Sequence, residues 1–79
     1  MFQAKVKWVD GLQFVGESGT GHAIVMDGDK EVGGNNTGMR PMETLLVGLG
    51  GCSGMDIASI LQKKKQQVTG IDINVKGKK

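Results

Sequence analysis

The chain has 79 residues, 14 of them glycine, and a formal net charge of +2, which is enough for one small domain and no second core. A chain of this length buries only about 60% of its extended surface, and each ordered glycine loses more backbone freedom than any other residue, so a self-sufficient monomer is not expected. The small net charge does not indicate a nucleic-acid partner. The uninterrupted apolar runs are shorter than the roughly 20 residues that span a bilayer. One cysteine excludes an internal disulfide or a four-cysteine zinc site.

The first part of the chain predicts a three-stranded antiparallel meander. Apolar and polar residues alternate from Phe2 to Trp8, which is typical of a half-buried strand. Asp10-Gly11 predicts a two-residue hairpin turn in which both central residues have positive φ. A second strand is expected over residues 12–17 and, after a turn at residues 18–21, a third over residues 22–27.

The rest of the chain predicts a loop, a long helix and a further strand. The glycines and asparagines of residues 28–40 indicate a mobile loop. Pro41 suits the first turn of a helix and Glu43 complements its positive end, and we expect the helix to extend to about Gln66. Residues 71–76 alternate apolar and polar again, which predicts a fourth strand. The order of elements indicates an α+β fold.

The predicted helix has no polar face between Leu45 and Leu61, so we expect it to be buried. Its four interior glycines cost about 3–4 kcal/mol relative to alanine, and close packing against another helix would compensate. Because the chain predicts no second helix, we expect that helix to come from another polypeptide. The alternative is that the glycines divide the segment into a strand, a turn and a shorter helix. On a helical wheel, an apolar stripe of Leu45, Leu46, Leu49, Ile57 and Ile60 lies opposite Val47, Gly48, Gly51, Gly54 and Ala58.

Cys52 is the candidate nucleophile, because glycines on both sides leave the backbone around it uncovered. Free cysteines are also among the most buried residues, so an inert, packed thiol stays open as the alternative. A helix break at Gly50-Gly51 would place Cys52 at a new helix start, where free N–H groups lower a thiol pKa. Asp56, one turn further on, opposes this unless it is paired or points away. Arg40, the only arginine, is the candidate cation.

Two segments carry a resemblance to a known family. The block Pro41-Met42-Glu43-Thr44-Leu45-Leu46-Val47-Gly48-Leu49-Gly50-Gly51-Cys52-Ser53-Gly54-Met55-Asp56-Ile57, preceded by Ala4-Lys5-Val6-Lys7-Trp8, resembles the OsmC/Ohr family of osmotically inducible and organic-hydroperoxide-resistance proteins. The similarity covers about residues 2–76 and the N-terminal half of the family fold. It implies a single, truncated OsmC-like domain over residues 1–79, with an α+β fold completed by an interlocked homodimer in which the central helices are buried.

The resemblance also implies a thiol peroxidase. Cys52 matches the position whose thiolate attacks the peroxide O–O bond and becomes a sulfenic acid; a second cysteine then forms a disulfide, which an external thiol or lipoyl carrier reduces. The site residues that we expect are Cys52, Glu43 and Arg40, without a metal or cofactor. The substrates are a hydroperoxide and the reductant.

Three departures from the family pattern bear on this expectation. The second cysteine is absent, Met42 stands where the family's peroxidases have a glutamate, and the N-terminal strands offer Lys5 and Lys7 where those enzymes have an activating arginine. The alternative is a non-enzymatic half-domain or assembly module with an inert cysteine. Without a signal-peptide core, the chain is expected in the cytoplasm, bound to neither nucleic acid nor membrane.

Overall fold

The computed structural model describes residues 2–77 and comprises two compact units, Met1–Glu43 and Thr44–Lys79. Its elements confirm the predicted α+β class: three antiparallel strands are followed by one long helix. In chain order they are β1 (Ala4–Asp10), β2 (Gln13–Ser18), β3 (Ala23–Met26), a 3₁₀ turn (Lys30–Val32) and α1 (Pro41–Lys63).

The three strands form the predicted meander, in the order β1-β2-β3. In its register Val6 lies opposite Gly16, and Gly16 lies opposite Ile24. Side chains in register share one face of a sheet, so the period-two pattern of β1 sets an apolar face. Within the described chain no hydrophobic side chain is buried, and Trp8 on this face is 64% exposed.

The first hairpin turn differs from its prediction by one residue. Asp10 pairs with Gln13, so the two central residues are Gly11 and Leu12. Gly11 has a φ of 52°, whereas Asp10 and Leu12 are not among the described residues with positive φ. One glycine at the first central position is the pattern of a type II′ turn. The indole N–H of Trp8 donates to the Gly11 carbonyl over 2.8 Å, which ties the end of β1 to the turn.

The segment between β3 and α1 is ordered by hydrogen bonds, contrary to the prediction of a mobile loop. Asp29 caps the 3₁₀ turn through its side chain, and Gly33 ends it with a φ of 99°. Further on, Met39 forms a parallel bridge with Met26, beside the end of β3. A Cβ at Gly34 would collide with the Gly28 backbone, so this close approach requires glycine.

Helix α1 is continuous through its glycines. It begins at Pro41 as predicted, and it ends at Lys63 rather than Gln66, close to Lys65 with a φ of 55°. The alternative of a divided segment is therefore wrong, and the break at Gly50-Gly51 that would have placed Cys52 at a new helix start does not occur. None of the helix residues is buried: Leu45 is 66% exposed. Burial of α1 is therefore not achieved within this chain.

The predicted fourth strand does not form, because residues 71–76 pair with no strand in the described chain. The segment instead lies along α1: ideal Cβ atoms at Gly50 and Gly54 would lie 3.2 Å from a methyl of Val75 and 3.1 Å from one of Ile73. Its alternation therefore reflects apolar packing against a helix. The bare side of α1 is thus partly covered by its own chain, which corrects the expectation that this whole side awaits another polypeptide.

By length and composition α1 could cross a membrane, whereas no uninterrupted apolar run of the sequence is long enough to do so. Its 23 residues have a mean hydropathy of 1.5 in their most apolar window, long and apolar enough to cross a membrane. Length and composition alone give weak evidence, because the core helix of a globular domain passes the same test. No long apolar run marks this helix in the sequence, because its glycines and serines interrupt the runs without making the segment strongly polar.

Candidate thiol site

The Cys52 thiol is exposed and lies in the middle of α1. Residues three and four apart are neighbours on a helix surface, so Cys52 is flanked by Gly48 and Leu49 on one side and by Met55 and Asp56 on the other. Leu49 is 61% exposed, and a Cβ at Gly48 would meet nothing within 4 Å. The thiol therefore lies on an open, largely apolar strip of the helix. Among the described residues the thiol is not packed, as the alternative of an inert cysteine would require.

A groove of about 810 Å³ lies on another side of α1. Small residues of the helix form its floor and the extended C-terminal segment forms its wall; they include Gly50, Gly54, Ala58, Ile71 and Ile73. Cys52 does not line it, although Met55, three residues further along the helix, does. The groove therefore borders the thiol strip without including the sulfur.

Arg40 lies just before α1, in the N-terminal unit, and its guanidinium is held by the preceding loop. Its Nη1 donates to Asn36 Oδ1 over 2.9 Å and to the Gly38 carbonyl over 3.2 Å. Asn36 has a φ of 53°, a left-handed conformation that asparagine tolerates better than most residues. The guanidinium thus has a defined position, set by loop residues.

Glu43 caps the start of α1. Its Oε1 accepts a hydrogen bond from the Arg40 N–H over 2.9 Å, and its own N–H donates to the Arg40 carbonyl over 2.9 Å. The first bond is the side-chain arm of a capping box and the second is a backbone turn bond, and together they satisfy backbone groups at the start of the helix. The structure therefore brings Arg40 and Glu43 together through the backbone, within the N-terminal unit, whereas Cys52 belongs to the C-terminal one.

Asp27 is a site residue that the sequence alone did not reveal. It is the one charged side chain that is buried among the described residues, at 2% exposure. Its Oδ2 accepts from the Thr37 hydroxyl over 2.6 Å and from the Thr37 and Asn35 N–H groups over 3.2 Å each. Its Oδ1 accepts from the Gly28 N–H over 2.7 Å. These hydrogen bonds, that of the Thr37 hydroxyl above all, lower the pKa of Asp27 from 3.8 to about 2. The sequence signal that could have indicated this site is the Asp-Gly pair at the end of the third strand, because aspartate side chains often bind the backbone of the turn that follows them.

Other charged residues give no sign of a second centre. Within residues 2–77, no group of three His, Cys, Asp or Glu side chains is placed to hold a metal ion. His22 lies exposed before β3, as expected of a surface residue. Lys7 forms a 3.6 Å ion pair with Glu17 across β1 and β2, with both side chains about half exposed; such a pair contributes little to stability.

Comparison with known proteins supplies the remaining observations. The family model of OsmC-like proteins matches residues 33–79. Protein YhfA of Escherichia coli K12 and that of Shigella flexneri are each 50% identical to the chain over 74 residues, which cover 94% of this chain and 51% of theirs. A solved structure described as structural genomics has a TM-score of 0.74 at 50% identity, over 86% of this chain and 49% of that one. The chain spans about half the length of the curated relatives it matches.

Proposed function

The chain belongs to the OsmC-like protein family, and from this premise we propose that it is a redox protein in which the Cys52 thiolate reduces organic hydroperoxides. The observation that supports the proposal is the exposed thiol of Cys52, the single cysteine, within the segment that the family model matches. An oxidant can reach a thiol in this position. Residues of α1 fix the thiol on one face of a regular helix, so its surroundings are defined.

The proposed reaction balances with one cysteine. The thiolate sulfur attacks one oxygen of the hydroperoxide and breaks the O–O bond; the sulfur becomes a sulfenic acid, and the alkoxide takes a proton to leave as the alcohol. Because the chain has no second cysteine, the sulfenic acid condenses with an external thiol and releases water. A second external thiol, or the other thiol of a dihydrolipoyl group, then displaces Cys52 and restores it.

The strip around the thiol suits an organic substrate. Leu49 lies one turn before Cys52 and Leu45 two turns before it, and both are more than 60% exposed. Exposed apolar side chains bind the alkyl part of a hydroperoxide in preference to water. Gly48, which adds no side chain, leaves the approach to the sulfur open.

We assign Arg40 and Glu43 supporting roles in this proposal. A guanidinium stabilises a thiolate or a leaving alkoxide when it lies beside it, and Arg40 is the only arginine of the chain. Glu43 holds the Arg40 backbone through the helix cap. Arg40→Lys keeps the charge but loses the fork of donors, so comparing it with Arg40→Ala separates the role of charge from that of geometry.

The test is the consumption of cumene hydroperoxide with dithiothreitol or dihydrolipoamide as reductant. Cys52→Ser should abolish thiol-dependent turnover, whereas Ser53→Ala, the neighbouring control, should retain it. The double variant Cys52→Ser/Ser59→Cys moves the thiol along α1 and should not restore the rate. Equal rates for the wild-type chain and Cys52→Ser would remove Cys52 from the mechanism, and full activity of the relocated thiol would reduce the proposal to general thiol reactivity.

A second function, assembly, is favoured by the exposed apolar side chains. Val47 and Met55, one turn before and one turn after Gly51 on α1, are 58% and 76% exposed, and exposed apolar side chains grouped in this way mark interaction sites. We propose that α1 is a core helix whose Gly51 side is covered in a homodimer, while the Cys52 strip stays open. We also propose that the protein is cytoplasmic. If assembly is the whole function, the thiol pKa from alkylation rates should be ordinary or raised, whereas a value well below about 8 favours the peroxidase.

The homodimer is tested by substitutions on the bare side of α1. Gly51→Leu places a bulky side chain where close helix packing needs none, and it should abolish association. Gly54→Leu should also abolish it, although this change disturbs the chain's own packing with Ile73 as well. A dimer that persists in sedimentation with Gly51→Leu would contradict this mode of association. A chain that cosediments with lipid vesicles would contradict the assignment of α1 as a core helix.

A further inference from the structure

The buried carboxylate of Asp27 orders the loop that leads into α1. Three of its four hydrogen bonds come from Asn35 and Thr37, eight and ten residues further along the chain. The backbone N–H of Asp27 donates to the Met39 carbonyl over 3.0 Å, so one residue holds both the middle and the end of the loop. The Thr37 hydroxyl in turn accepts from Gln13 Nε2 over 2.9 Å, which links the loop to β2.

The same loop residues position the guanidinium of Arg40. Its two acceptors, the Asn36 side chain and the Gly38 carbonyl, are the immediate neighbours of Thr37. Because Thr37 is bound to Asp27 through both its N–H and its hydroxyl, the acceptors on either side of it are fixed as well. A Cβ at Gly38 would collide with the Val25 carbonyl, so the loop lies directly against β3.

We propose that Asp27 is a positioning residue: its carboxylate holds the 35–38 turn in the one conformation that presents acceptors to Arg40 and so fixes the guanidinium before α1. Insofar as it concerns catalysis, this inference rests on the proposed function, in which Arg40 supports the thiol reaction. Asp27 acts through Arg40 and does not touch the reacting atoms. Its hydrogen bonds are charge-assisted, and such bonds are roughly twice as strong as neutral ones.

The first experiment measures the order of Arg40 directly. Because the chain has one arginine, its Nε–Hε NMR signal is unique, and ¹⁵N relaxation reports its motion. Asp27→Asn and Thr37→Val should increase this motion and speed amide exchange at residues 35 and 37 about tenfold or more. Asp29→Asn makes the same chemical change at an exposed position of the loop and should alter neither. Thr37→Ser, which keeps the hydroxyl, should resemble the wild-type chain.

If Asp27→Asn does not fold, Thr37→Val carries the test, since it removes the 2.6 Å hydrogen bond and leaves the charge in place. An Arg40 side chain that stays ordered while amide exchange at residues 35 and 37 accelerates would overturn the inference. So would equal effects of Asp27→Asn and Asp29→Asn. Both outcomes are independent of peroxide chemistry.

The second experiment is a double-mutant cycle on peroxide consumption. Asp27→Asn should lower kcat/KM about as much as Arg40→Ala does, and it should have little further effect when Arg40 is already alanine, because the two act through one group. Additive losses would show that Asp27 acts on the fold alone and would overturn the inference. If Cys52→Ser is as active as the wild-type chain, the proposed function fails instead, and the order of Arg40 still decides the role of Asp27.

Discussion

Replacing Gly51 by alanine should stabilise α1 as a single chain. A Cβ at Gly51 would have nothing within 4 Å, and Gly51 is not among the glycines with positive φ. Alanine therefore fits without strain and without a new contact. Alanine is favoured over glycine in a helix interior by about 0.8–1 kcal/mol, so the free energy of unfolding should rise by that amount. Gly48, which is equally open, should behave in the same way.

Gly50 and Gly54 are the matched controls, because they lie on the same helix under the C-terminal segment. A Cβ there would lie 3.2 Å from a Val75 methyl and 3.1 Å from an Ile73 methyl, closer than ordinary van der Waals contact. These side chains must give by a few tenths of an ångström before alanine fits. Ile73 is 38% exposed, so the cost should lie at the low end of the roughly 1–3 kcal/mol found in overpacked cores. The gain from helix propensity should therefore be reduced or cancelled at these two positions.

The measurement is urea unfolding followed by circular dichroism at 222 nm, at concentrations where sedimentation shows a monomer. A gain of 0.8–1 kcal/mol corresponds to a four- to fivefold change in the unfolding equilibrium, by about 1.4 kcal/mol per factor of ten. Gly51→Ala should be more stable than Gly54→Ala by up to about 1 kcal/mol. If Gly51→Ala is no more stable than the wild-type chain in dilute solution, the open side of α1 is covered and the reasoning is refuted.

Three further predictions concern the N-terminal unit, with the fluorescence of the single tryptophan, which lies in β1, as reporter. Because folding lowers the pKa of Asp27 from 3.8 to about 2, its contribution to stability is present above pH 4 and should be lost as the pH falls towards 2; a pH profile unchanged in Asp27→Asn would contradict this. Gly34→Ala and Gly38→Ala should each cost about 1–3 kcal/mol in urea unfolding, since a Cβ at either position collides with backbone, and an unchanged midpoint would show that the loop gives way. Glu43→Ala should cost about 0.5–1.5 kcal/mol through the lost Arg40 N–H bond, and faster exchange of that amide should accompany it; Glu43→Gln, which keeps an acceptor, should lose less.

The sheet and the helix could be predicted from the sequence because their signals are local. Alternation with period two located β1, and Gly11 marked the first turn, although only the structure placed Gly11 and Leu12 at its centre. Pro41 and Glu43 located the start of α1 at the correct residue. In each case the pattern and the element occupy the same few residues.

The Asp27 site and the C-terminal segment could not be predicted, since both depend on partners distant in the sequence. Asp27 is bound by Thr37, ten residues away, and composition alone cannot tell such a turn from a mobile loop. Residues 71–76 alternate as a strand does, but the segment packs Ile73 and Val75 on a helix more than 15 residues earlier. Alternation records which side chains face an apolar surface; it does not specify whether that surface is a sheet or a helix.

The glycines of α1 therefore divide into two sets with different physical requirements. Gly50 and Gly54 admit the C-terminal segment of the chain itself, and that contact accounts for part of their cost in helix propensity. A Cβ at Gly48 or Gly51 would meet nothing within 4 Å among the described residues, so no described contact compensates for their cost in helix propensity. Gly48 lies one turn before Cys52, where a larger side chain would cover the sulfur. Access to the thiol accounts for Gly48 if the proposed reaction takes place there, and the proposed association of two helices accounts for Gly51. Gly48→Leu should therefore slow alkylation of Cys52, and Gly51→Leu should abolish dimerisation.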